Sequence, residues 1–122
     1  MYNEIIIDNF SNPQNVGELS AADLVLEIGN PVCGDRIKVY LDITDNLINR
    51  AVFKAWGCAT SIATANVFCS SIEGQNGAEI ALRQPEDIEA MLGELEPSQN
   101  HCLQILEELH EKLMTKLNLG VS

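Results

Sequence analysis

The sequence predicts an α+β fold: a three-stranded antiparallel meander covered by helices on one face. Three observations carry that expectation. Apolar residues alternate through the first half of the chain, as in Ile37, Val39, Leu41 and Ile43, and fall at helical spacing after residue 59. No internal repeat, low-complexity tract or dividing linker interrupts the sequence. Strands followed by helices is the α+β order, so residues 1–122 are expected to form one domain.

The elements follow in turn. Residues 2–10 place Ile6 and Phe10 four apart with Ile7 alongside, the pattern of a short docking helix stopped by Asn12-Pro13. After a loop over 15–22, residues 23–28 and 36–43 form the first two strands, and Thr44-Asp45-Asn46 a tight turn. The third strand, 47–56, carries Ile48, Val52 and Phe53 and stops at Gly57. A helix over 59–73 buries the stripe Ile62, Ala65, Cys69 and Ile72, with Gly74 as its stop. Residues 77–93 give two short helices split at Gln84-Pro85, burying Ile80, Leu82, Ile88, Met91 and Leu92. The last helix starts near Ser98 or Asn100 and lines up Cys102, Leu106, Leu109, Leu113 and Leu117. No apolar stripe is expected to be surplus to the core.

A chain of 122 residues with 46% apolar and 20% charged residues can bury roughly two-thirds of its unfolded surface without covalent staples. Its 18 acidic and 7 basic residues give a formal charge of -11, which repels nucleic acid and anionic lipid headgroups. No stretch has membrane-spanning length, and the first residues lack the basic start of a secretory signal. A cytoplasmic location is therefore expected, where the four cysteines serve as metal ligands or reactive groups rather than disulfides.

In a meander, successive connections alternate between the two ends of the sheet. Cys33 lies in the first connection and Cys58 follows the third strand, so both thiols are expected at one end. Cys58 and Cys102 each open a helix, whose positive end favours thiolate. Cys69 shares a helix with Cys58 but sits roughly 16 Å along it, and reads as a small buried hydrophobe. Asp35, two positions after Cys33, and His101, beside Cys102, can complete a four-ligand set. His110 is expected on the helix surface, and Asp42 and Asp45 flank a turn. The wide cysteine spacing matches no zinc finger or ribbon, so these residues define a metal or reactive-thiol site and do not choose between the two.

The motifs Val32-Cys33-Gly34-Asp35, Trp56-Gly57-Cys58-Ala59-Thr60-Ser61-Ile62-Ala63 and His101-Cys102, preceded by Asn12-Pro13-Gln14-Asn15-Val16-Gly17, resemble the IscU/NifU family of iron-sulfur scaffold proteins. The likeness covers nearly the whole chain. It implies that Cys33, Cys58 and Cys102, with Asp35 and His101, bind a transient two-iron, two-sulfur cluster or zinc. It further implies a pyridoxal-phosphate cysteine desulfurase as sulfur donor, a ferredoxin as electron donor, and apo iron-sulfur proteins as acceptors. The scaffold itself turns over no substrate. Asp35 would favour lability, and His101 would assist a ligand swap.

Two departures stand out. Leu95-Glu96-Pro97-Ser98-Gln99 occupies the place of the family's Leu-Pro-Pro-Val-Lys chaperone-binding stretch. The run Asn30-Pro31-Val32-Cys33-Gly34-Asp35-Arg36-Ile37 looks like the SufU branch, yet that branch's insertion is missing and His101 is present, which places the chain nearer IscU and the N-terminal NifU domain. The alternatives are a zinc-dependent persulfide acceptor, or sulfurtransferase, and a structural zinc module.

Overall fold

In the computed structural model, residues 2–30 and 35–117 are described. Three strands, β1 (Leu24–Asn30), β2 (Asp35–Thr44) and β3 (Leu47–Trp56), pair antiparallel in the order β1-β2-β3, as the sequence predicts. The pairs Leu26↔Val39, Ile28↔Ile37, Val39↔Phe53 and Leu41↔Ala51 set one face of the sheet, and every one of these side chains is buried. Asp45 and Asn46 both take positive φ, 51° and 69°, which matches the twist of the two strands they join. β1 and β2 outrun their apolar stretches because Gly29↔Arg36 and Asn30↔Asp35 continue the backbone ladder.

Five helices complete the described residues: α1 (Glu4–Ser11), α2 (Ala59–Ile72), α3 (Gly77–Ala81), α4 (Pro85–Ala90) and α5 (Asn100–Lys116), the last entered through a 3₁₀ turn at Pro97–Gln99. α2 packs on β2 and β3, α5 packs on β1 and along α2, and α1 lies against α2. Burying Phe53 and Phe68 alone stabilises the fold by about 3 kcal/mol each. The α5 stripe is buried as predicted from Cys102 to Leu113, with Leu117 partly buried at its end. Cys69 is fully buried, and burial raises its thiol pKa far above the usual range.

The outer edge of β3 is covered by loops. Phe53 N–H donates to Asn15 O, and Gly17 N–H donates to Phe53 O, both at 2.9 Å. Asn15 is itself a buried junction: its Nδ2 donates to Ala51 O at 2.8 Å, its N–H to Asn66 Oδ1 at 2.9 Å, and Ser70 Oγ donates to its Oδ1 at 2.8 Å. Further along, Glu73 accepts from Ala51 N–H and Gln75 O from Ile48 N–H. No backbone groups of this edge face the core without partners at these points.

Four expectations need correction. α1 buries Ile6 but leaves Ile7 and Phe10 nearly half exposed, because Asn3 caps the helix and ties it to Leu92 O and Glu94 O, which fixes its rotation. Tyr2, Ile5, Ile7 and Phe10 therefore form exposed apolar surface that was not expected. Leu82 is 75% exposed, since α3 ends at Ala81 and Leu82 serves as its C-cap. His110 is buried rather than on the helix surface, with Phe68 edge-on at 5.1 Å and Arg83 beside it.

Candidate functional site

The pairing Arg36↔Trp56 brings the start of β2 and the end of β3 together at one end of the sheet. Asn30 and Asp35 close the β1–β2 ladder at the same end, so the flanks of the Cys33 connection lie where the topology places them. Cys33 itself lies outside the described residues. Gly57 turns the chain with φ +140°, and a Cβ there would strike the Asp35 carboxylate, so glycine permits this approach.

Cys58 is the N-cap of α2, and the next two hydroxyls gather around it. Thr60 Oγ1 stands 2.9 Å from Cys58 Sγ and Ser61 Oγ stands 3.5 Å from it. Each hydroxyl also reaches a second predicted site residue. Ser61 Oγ donates to Asp35 Oδ2 at 3.1 Å, and Thr60 Oγ1 lies 3.0 Å from His101 Nε2. His101 Nε2 in turn is 3.9 Å from Cys102 Sγ. Asp35, Ser61, Cys58, Thr60, His101 and Cys102 thus form one connected chain across two helices and a strand.

The two thiols differ. Cys58 is exposed; what burial it has works against the thiolate, but its polar contacts with the Ser61 and Thr60 hydroxyls, the Ser61 N–H and His101 outweigh it and lower its pKa to about 7. Cys102 is fully buried, and desolvation raises its thiol pKa despite hydrogen bonds from Thr64 and Thr60. A helix start was expected to favour thiolate at both cysteines; at Cys102 burial wins, and the nearby Cys58 charge adds to it.

In the sequence, Thr60 and Ser61 stand out only as parts of a motif. Their partners His101 and Asp35 are 41 and 26 positions away, so spacing gave no signal of the bridges. Among the described residues, no group of three or more His, Cys, Asp and Glu side chains stands ready as a metal site. The donors nevertheless fit soft metal: cysteine sulfur for iron or zinc, with an imidazole and a carboxylate in reach as replaceable oxygen or nitrogen ligands. Among the described residues, no helix is long and apolar enough to cross a membrane.

A small α+β domain that collects thiols, an imidazole and a carboxylate at one end of its sheet is of the class that handles soft metals or sulfur. The chain belongs to the NifU-like N-terminal domain family, whose model matches residues 1–116. It is 36% identical over 102 residues to the iron-sulfur cluster assembly scaffold protein IscU 1 of Archaeoglobus fulgidus, spanning 84% of this chain and 67% of that protein. It is 33% identical over 76 residues to the zinc-dependent sulfurtransferase SufU of Bacillus subtilis, spanning 62% of this chain and 51% of that one. The fold is shared with a scaffold candidate of the SUF system from Fervidobacterium islandicum AW-1, at TM-score 0.66 and 23% identity, over 93% of this chain and 94% of that one.

Proposed function

We propose that this chain is a non-catalytic scaffold on which iron-sulfur clusters are assembled and from which they pass to acceptor proteins, with residues 1–122 acting as one domain. The observation that carries this reading is the hydrogen-bonded chain from Asp35 through Cys58 to His101, with Cys102 alongside. Membership of the family and the scaffold relatives support it.

Cys58 is the thiol suited to receive sulfur, being exposed and half ionised near neutral pH. Its thiolate attacks the outer sulfur of a persulfide on a cysteine desulfurase. The donor's S–S bond breaks, a new one forms at Cys58, and the donor cysteine leaves as thiolate. Two electrons, delivered singly by a ferredoxin, then cleave the new bond to sulfide and restore the Cys58 thiolate. Cys33, Cys58 and Cys102 hold iron as a two-iron, two-sulfur cargo, and Asp35 or His101 completes the set as the ligand most easily replaced. Zinc fits the same donors before loading.

The test is anaerobic incubation with ferrous iron, cysteine and a cysteine desulfurase, followed by visible absorption and transfer to an apo-ferredoxin. Wild type is expected to colour and transfer, and Cys58→Ser to do neither. Tightly held zinc with no cluster in wild type would instead favour a zinc-dependent sulfurtransferase, the reading that the lowered Cys58 pKa and the SufU relative also accommodate.

A further inference from the structure

Thr60 is 97% buried by its neighbours, at 3% exposure, yet its hydroxyl faces the two exposed groups of the site. It lies 2.9 Å from Cys58 Sγ and 3.0 Å from His101 Nε2, and the neighbouring Thr64 hydroxyl donates to Thr60 O at 2.7 Å. A hydroxyl has one proton to give and lone pairs to receive. If Thr60 donates to Nε2, it occupies the nitrogen lone pair. If Nε2 carries the proton and donates to Thr60, the lone pair is gone from that atom. In either arrangement, Nε2 cannot ligate a metal until it leaves Thr60.

Nε2 is also the ring atom that faces Cys102 Sγ. The imidazole has room to leave: a concavity of about 480 Å³ lined by Thr60, His101, Tyr2 and Ser98 opens beside it. His110 shows the opposite design on the same helix, with both nitrogens committed and the ring buried.

We propose that Thr60 is a positioning residue that competes with bound metal for His101 Nε2, and so keeps His101 an exchangeable ligand. This rests on the site assigned above under the scaffold reading. The hydroxyl holds the imidazole at the edge of the site before loading and takes it back when the metal leaves. Losing one neutral hydrogen bond of ordinary strength corresponds to about a fivefold change in an equilibrium or exchange rate.

The experiment uses cobalt(II), whose visible bands report its ligands, and follows its release from the purified chain into excess chelator. Thr60→Val, which removes the hydroxyl but keeps the shape, is expected to release cobalt about fivefold more slowly. Thr60→Ser should restore the wild-type rate. In a His101→Ala background, Thr60→Val should have no further effect on release; any loss at Cys58 is present in both backgrounds and cancels in the cycle. Release that is unchanged or faster in Thr60→Val, or a slowing that persists without His101, would overturn the proposal, as would a wild type that takes up no cobalt. A second measurement needs no variant. The His101 imidazole nitrogen resonances of the wild type should show Nε2 hydrogen-bonded before cobalt or zinc and altered after; unaltered resonances also overturn it. A chain that shows this coupling but builds no cluster would defeat the scaffold reading and leave the role of Thr60 standing.

Discussion

α2 and α5 lie side by side and carry the same two residue types at both ends, in opposite circumstances. At their N-terminal ends, Cys58 and His101 are exposed and bridged by the Thr60 hydroxyl. At their far ends, Cys69 is fully buried, and His110 is saturated: its Nδ1 donates to Leu106 O at 2.8 Å and its Nε2 accepts from Arg83 at 3.0 Å. Arg83 is held in turn by Ser71, with its guanidinium against the Ser71 hydroxyl and carbonyl. Residue type alone therefore says little. A buried cysteine, or a histidine with both nitrogens spent, stabilises the fold, whereas an exposed one with capacity left over can bind.

The largest expected consequence of that contrast lies at the far end. Phe68→Ala, which opens a cavity against His110, should cost about 4 kcal/mol in urea unfolding, whereas a surface-like loss of under 1 kcal/mol would mean that this end is not the tightly packed one. Next comes pH. Burial lowers the His110 pKa from 6.5 to about 4, partly offset by the Leu106 carbonyl, and the Arg83 charge adds to the depression. The unfolded chain binds that proton below about pH 6.5 and the folded chain only near 4. Stability from this source is thus full above 6.5 and falls, by up to about 3 kcal/mol, as pH drops to 4. His110→Gln should flatten that part of the curve in pH-dependent denaturation; a parallel curve would show that His110 is not held neutral.

Alkylation separates the thiols. With iodoacetamide at pH 7, mass mapping should find Cys58 modified at least about a hundredfold faster than Cys69, a difference of about 2.7 kcal/mol, and comparable rates would break the contrast. The smallest effect belongs to the near end: His101→Ala should change unfolding stability by no more than about 0.5 kcal/mol, as expected of an exposed side chain. A larger loss would make His101 structural.

What the sequence disclosed and withheld follows the range of each interaction. The strand alternation, the Asp45-Asn46 turn and the α5 stripe are local patterns and were legible. Bringing the Cys58 end and the Asp35 end together followed from strand reversal alone. His110 was misplaced because its partners Phe68 and Arg83 come from α2 and from the short stretch beyond α3, although its position four after Leu106 hinted at burial. Leu82 was misplaced because a five-residue helix is too short to show a period. The weighting of burial against helix polarity at Cys102 depends on packing, which spacing does not reveal.

Gly57 bears on how this sequence can drift over time. The position carries no donor, acceptor or charge on a side chain, yet one added methyl group would meet the Asp35 carboxylate and demand an unfavourable backbone angle. A change there would dislodge Asp35 from Ser61 without altering either residue. Tolerance to mutation in this protein is therefore set as much by a missing side chain as by the polar ones, and a lineage could lose the contact between Asp35 and Ser61 while still encoding both.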